Sequence, residues 1–283
     1  MQNAAQGKVI VITGATSGIG QIAASLLAAE GARLVLVARD RTRAEKTLAH
    51  LRERGPNQAH RAHIGDLSRL AEMKRVGSEI AAAEPRVDVL INNAGNIFAQ
   101  RALTEDGFER TFATNHVAYF VLTLALRDRL IAAAPARIIS TASAAHRGEK
   151  LDFEDLQSAN GYRPTSVYGR SKLCNILFTR ALARRLTGTG VTANCLHPGF
   201  VRTNLGQRSG GVFAGMVRMA MLFAARPERG ANTIVYLATS PAVADVSGGY
   251  FVDCRAATPS AQAQDDARAE RLWTATAHLA GIG

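Results

Sequence analysis

The chain is short of the residues that hold folds together covalently or through metals. It has 3 cysteines in 283 residues, Cys174, Cys195 and Cys254. An odd, scattered set gives no disulfide framework, and no Cys-x-x-Cys spacing exists to bind zinc. His60 and His63 are near neighbours, but no further ligands cluster beside them, so no metal is expected. No stretch of about 18 uncharged apolar residues occurs, so no membrane span is expected either. The start, Met1-Gln2-Asn3-Ala4-Ala5-Gln6-Gly7, lacks the basic and apolar blocks of a secretory signal, and a cytoplasmic setting is expected. There is no solenoid-like repeat and no low-complexity tract. Residues 1–283 are therefore read as one domain.

Net charge is +11, an excess that attracts nucleic acid or an anionic membrane surface. It equally suits a soluble surface with a few groups that hold an anionic cofactor. The arginines are scattered, as at Arg41, Arg43, Arg52, Arg54, Arg184 and Arg185, with no long basic run. No nucleic-acid partner is expected.

What the chain does have is apolar material, 47% of it, cut into short β-rich runs that alternate with helical patterns. That alternation predicts a parallel sheet with helices on both faces. Lys8–Thr13 reads as a buried strand running into Gly14-Ala15-Thr16-Ser17-Gly18-Ile19-Gly20, then a helix with Ile22, Ala23, Leu26 and Leu27 on one side. Glycines permit a tight turn and close backbone approach to a phosphate. The following helix N-terminus offers it N–H groups and a favourable dipole. The spacing is G-x-x-x-G-x-G rather than G-x-G-x-x-G.

Arg33–Ala38 is the second strand. Enzymes preferring NAD place an acidic residue at its end to bond the ribose. Here stand Ala38 and Arg39, and an arginine suits the 2′-phosphate of NADP. Arg43 adds a second positive charge. Asp40 is read as the start of the next helix, over 41–54, although Arg39 and Asp40 pairing with each other is the alternative. A third strand over 59–64 leads to Asp66 and Leu67, with Asp66 placed to bond an adenine or simply to cap a turn. Ser68 is read as an N-cap. A fourth strand, 87–92, runs into Asn93-Ala94-Gly95, small enough to lie against a flat ring. A long helix is expected from Glu109 to about Ala133. Asn115 inside it is either a satisfied core amide or a polar kink that holds a water. A fifth strand, 136–143, brings Ser143 to its carboxyl end, where open α/β sheets place ligands. A sixth strand, 191–196, precedes the turn Pro198, Gly199, Val201 and Thr203. Residues 204–226 hold Phe213, Met216, Val217, Met219, Met221, Leu222 and Phe223, read as an adaptable lid over a substrate or a packed helix. A helix over 228–239, a strand over 250–252 and a helical tail over 260–283 complete the chain.

Tyr168 and Lys172 are four residues apart at the start of an apolar-periodic helix, so they share one face. A free phenol has a pKa of about 10, and a neighbouring ammonium favours its ionised form. The pair is therefore expected to move a proton near neutral pH.

Taken in order, Thr13-Gly14-x-x-x-Gly18-Ile19-Gly20, Asn92-Asn93-Ala94-Gly95, Asn115, Ser143, Tyr168-x-x-x-Lys172 and Pro198-Gly199 resemble the short-chain dehydrogenase/reductase family over about residues 7–255. Ser143-Ala144-Ala145-His146, the run Ser171–Phe178 and the tail Gly249–Cys254 look closer to its retinol dehydrogenase-like branch. Thr16-Ser17 stands where that branch commonly has Asn-Thr, and His146 stands alone where it often has two histidines. The resemblance implies a single Rossmann-type doubly wound sheet of about seven strands. It implies that Tyr168 is the general acid in carbonyl reduction and the base in alcohol oxidation. Ser143 would hold the substrate oxygen, Lys172 would bond the nicotinamide ribose and depress the tyrosine pKa, and Asn115 would hold a water linking Lys172 to solvent. The expected cofactor is NADP(H) rather than NAD(H), and the substrate a small hydrophobic alcohol or carbonyl compound. A homo-oligomer through the long helices is common in the family. A non-catalytic NADP-binding redox sensor is the alternative, against which the complete Ser143, Tyr168 and Lys172 set argues.

Overall fold

A computed structural model describes residues 4–55, 59–199 and 227–282. Eight strands form one sheet: β1 (Val9–Thr13), β2 (Arg33–Ala38), β3 (Arg61–Ile64), β4 (Val89–Asn92), β5 (Ala136–Thr141), β6 (Val191–His197), β7 (Tyr250–Val252) and β8 (Arg255–Ala256). Their order is β3-β2-β1-β4-β5-β6-β7-β8. The first seven run parallel and β8 returns antiparallel on β7. The strand beyond the expected seven is two exposed residues, too short to leave a pattern in sequence.

Central strands β1 and β4 are buried at every position because both faces are covered. On β1, Val9 and Val11 point into one core, while Ile10 and Ile12 point into the other. The second core is closed by α1 (Gly18–Ala29), α2 (Arg41–Arg54) and α8 (Pro227–Thr239). The first is closed by α3 (Leu70–Ala83), by the segment from α4 (Arg110–Phe112) through α5 (Ala118–Ala125) to α6 (Arg127–Ala132), by α7 (Pro164–Arg185) and by α9 (Asp266–Leu279).

The long helix expected over 109–133 is broken. Between α4 and α5 the backbone runs as a π-helix, Ala113–Val117. Between α5 and α6 it turns at Leu126, with φ −100° and ψ 0°. Ser68 is not an N-cap; its hydroxyl donates to Asp66 at 2.9 Å. The helix instead starts at Leu70, whose N–H is taken by Asp106 at 2.7 Å.

The C-terminal helix α9 is held on α7 by charge and aromatic contact. Asp266 accepts from Arg180 (2.8 Å) and Arg184 (2.6 Å), and Glu270 from Arg184 (2.8 Å) and Arg185 (2.5 Å). Trp273 stacks on Phe178 with ring centres 5.8 Å apart and lies under the Arg185 guanidinium at 4.1 Å. Part of the arginine excess is thus spent inside the fold. Among the described residues, no helix is long and apolar enough to cross a membrane.

Candidate active site

All parallel strands end on one side of the sheet, and the order reverses between β1 and β4. A crevice opens there by construction, since connections leave in opposite directions from the two strands. Among the described residues, the glycine turn and the Asn93-Ala94-Gly95 segment meet there. Gly14 and Gly18 adopt φ of +70° and +59°, accessible to glycine at little cost. A Cβ on Gly14 would meet the Ala94 Cα at 2.9 Å, and one on Gly20 would strike the Asn93 amide and the Gly14 carbonyl. The glycine turn is therefore pressed against the Asn93-Ala94-Gly95 segment. Thr13 Oγ1 accepts from the N–H groups of Asn93 and Ala94, both at 2.9 Å, and Asn93 donates back to the Thr13 carbonyl at 3.0 Å. Ser17 makes no side-chain cap on α1, so the first-turn N–H groups are left to a ligand at that end.

Arg39 and Arg43 are exposed. Asp40 caps α2 by accepting from the Arg43 N–H at 2.9 Å, and no ion pair joins it to Arg39. Asp66 spends one carboxylate oxygen on Ser68, through its N–H at 3.0 Å and its hydroxyl. Leu67 is buried in the core beside it. At the far end Pro198 lies against α8. A Cβ on Gly230 would meet the Pro198 carbonyl oxygen at 2.8 Å and Ile19 Cγ2 at 3.2 Å. Gly199 follows at φ +81°. Val201, Thr203 and the 204–226 segment lie outside the described residues. His60 and His63 serve separately: His60 accepts from the Leu34 N–H at 3.0 Å, and His63 meets Glu79 at 3.2 Å.

The β5 strand ends at Thr141, so Ser143 stands just beyond it as the N-cap of a short 3₁₀ turn, Ala144–His146. Its Oγ accepts from the Ala145 N–H at 3.2 Å. Lys172 is buried and donates to the Thr141 carbonyl at 3.0 Å, which also accepts from Asn175 at 3.2 Å. The ammonium lies 5.5 Å from the centre of the Tyr168 ring. A Cβ on Gly95 would come within 3.3 Å of Lys172 Nζ and 3.1 Å of Asn115 Oδ1, so the glycine lets the two elements meet. Asn115 sits in the π-helix, a local widening often found at functional sites. Its amide donates to the Asn96 carbonyl and Ser171 Oγ, both at 2.9 Å, and its oxygen accepts from the Asn96 N–H at 2.8 Å. Of the two readings of Asn115, a satisfied amide describes these contacts and the break in the helix explains its place.

The electrostatics correct one expectation. Burial pushes the Tyr168 phenol up to about 12, with hydrogen bonding from Ser143 pulling the other way. Burial brings Lys172 down to about 7. Removing water disfavours charge on both groups, so burial sets the direction in which each moves. Sequence reasoning missed Thr141, Asn175 and Ser171. Asn175 was open to it: it falls seven residues after Tyr168 and three after Lys172, on the same face, in an otherwise apolar run.

A family model described as short chain dehydrogenase matches residues 8–210. Retinol dehydrogenase 14 of Mus musculus is 42% identical, covering 98% of this chain and 86% of its own length. Retinol dehydrogenase 13 of Homo sapiens is 40% identical, covering 98% and 85%. Among solved structures, the Pseudomonas aeruginosa RhlG/NADP active-site complex aligns with a TM-score of 0.70 at 26% identity, covering 91% of this chain and 97% of that one. The chain thus belongs to the short-chain dehydrogenase/reductase family, in its retinol dehydrogenase-like branch, and is an oxidoreductase of alcohol groups.

Proposed function

We propose that the protein is an NADP(H)-dependent oxidoreductase that interconverts a hydrophobic alcohol and its aldehyde or ketone. One observation carries this reading: Ser143, Tyr168 and the buried Lys172 converge beside the glycine turn and the Asn93–Gly95 segment. The residues fit a phosphorylated dinucleotide. The N-terminus of α1 carries no side-chain cap and suits a pyrophosphate, and exposed Arg39 follows β2 with exposed Arg43 in the first turn of α2, while Asp40 is committed to its cap.

Bound NADP(H) would supply or accept the hydride. The chain's own residues do the rest. Ser143 holds the substrate oxygen within reach of the Tyr168 hydroxyl, which gives or takes the proton. A phenol held near 12 is an effective donor to the alkoxide that develops in reduction. Lys172, near 7, adds positive charge beside the phenolate when protonated and lowers the work of ionising it. Asn115 holds the Asn96 backbone and Ser171 in place.

NADPH mixed with a panel of lipophilic aldehydes and ketones should lose the absorbance of the reduced nicotinamide. Tyr168→Phe should lower turnover by about 10²–10⁴-fold, the usual contribution of a positioned acid, with NADPH binding retained. Undiminished turnover in Tyr168→Phe overturns the assignment.

A further inference from the structure

His146 is fully buried, lies three residues after Ser143, and is held by two polar contacts of opposite kind. Its Nδ1 lies 2.6 Å from the Ser143 carbonyl, and its Nε2 lies 3.0 Å from the backbone nitrogen of Ser260. A backbone N–H can only donate, so Nε2 is the bare nitrogen and Nδ1 carries the proton given to Ser143. The ring is braced by the edge of Tyr250, with centres 5.4 Å apart. Alongside, Arg147 donates to the Thr258 carbonyl at 2.7 Å. Ser143 is therefore fixed at both ends, its Oγ by the Ala145 N–H and its carbonyl by His146.

We propose that His146 is a positioning residue that ties the C-terminal strap, residues 258–260, to Ser143 and so sets where the substrate oxygen is held. This rests on the role given above to Ser143. The imidazole works as a rigid two-ended spacer, since each nitrogen has one partner and each partner tolerates only one tautomer. The strap lies 114 residues away along the chain, so residues far from the chemistry determine the geometry at the reacting oxygen.

The fold supplies a clean test. Ser260 has φ −64° and ψ 158°, angles that proline adopts without strain. Ser260→Pro therefore deletes the N–H without straining the backbone angles, and its Cδ, standing where the hydrogen was, displaces Nε2 from its 3.0 Å contact. The Ser260 hydroxyl is buried without a partner, so Ser260→Ala, which keeps the N–H, serves as the control. Turnover is followed with NADPH and a lipophilic aldehyde, NADPH affinity by fluorescence, and melting in parallel. Ser260→Pro and His146→Phe should each lower kcat about tenfold, the scale of a sub-ångström misplacement, with NADPH affinity kept and Ser260→Ala near wild type. The double variant should lose no more than either single one, because both cut the same link. Wild-type kcat in Ser260→Pro, or independent losses that multiply in the double variant, overturns the proposal. So does a loss that follows melting and NADPH affinity alone, the mark of a merely structural role. Ser143→Ala separates the two levels. If it stays active, the role of Ser143 itself fails. If it is inactive while Ser260→Pro and His146→Phe match wild type, only the strap falls.

Discussion

Arg39 shows how a side chain can be dispensable for the fold and decisive for a ligand. It is exposed, and its neighbour Asp40 is already engaged as a cap. Arg39→Ala should leave the unfolding midpoint within about 0.5 kcal/mol of wild type, as for most surface changes. It should raise KM for NADPH by about tenfold or more, since a charge-assisted hydrogen bond is worth about 1.5–3 kcal/mol. NADH kinetics should hardly change, and steady-state assays with both cofactors read the difference. Lys172 is the opposite case, a charge the fold disfavours. Its pKa falls from 10.5 to about 7 on folding through burial. The unfolded chain then binds more protons between those values, so stability drops as pH falls from about 10 to 7 and stays low below. Lys172→Met removes that dependence. Its stability relative to wild type should be greatest at pH 6 and should shrink toward pH 10, measured by urea unfolding at each pH.

Among elements, α9 on α7 invites the wrong emphasis. Arg180, Arg184 and Arg185 make a conspicuous ion-pair cluster with Asp266 and Glu270. The Glu270 side chain is 45% exposed, and exposed pairs contribute about 0.2–1 kcal/mol. Leu272 in the same helix is buried, and removing such a side chain costs about 2–5 kcal/mol. Leu272→Ala should therefore destabilise several-fold more than Glu270→Gln, and only the latter's effect should shrink in 1 M salt. Elements also show what local sequence reveals. Strands such as β1 (Val9–Thr13) and helices such as α2 were legible because a run of β-branched residues, or an Asp cap and a 3.6-residue period, is a local signal. The break at Ala113–Val117 was not. Its apolar residues keep a helical spacing, and only Asn115 hints that the ladder widens. The end of β5 was misjudged by two residues and the start of α3 by one, because side-chain bonds from Ser143 and Asp106 set them.

For the molecule as a whole, the parallel sheet and the crevice between β1 and β4 were legible because alternation of strand and helix fixes them almost mechanically. The proposed catalytic set could be picked out in sequence because its members follow strand ends or share a helix face. The His146–Ser260 contact was not, since no period links positions so far apart. Buried histidines give the fold a common response to acid. His116 is held at about 4 by burial, where its Nε2 meets Thr276 Oγ1 at 2.9 Å, and His60 and His146 are lowered by the same cause. Each is neutral in the fold and takes up a proton on unfolding near its ordinary 6.5. The histidines' contribution to stability is therefore fully present above about 6.5 and lost as pH falls toward 4. A series of unfolding curves should slope downward across that window, and His116→Gln should flatten part of the slope.

The three thiols complete the picture. Cys174 and Cys195 are buried, and burial pushes both up to about 12, whereas Cys254 is only half-buried. Thiolate is the reactive form, so a colorimetric thiol reagent at neutral pH should label Cys254 first and then wait. The lag before the other two react is a stopwatch built into the protein. It times how often α7 and β6 part from the core, in solution and with the native residues alone as probes.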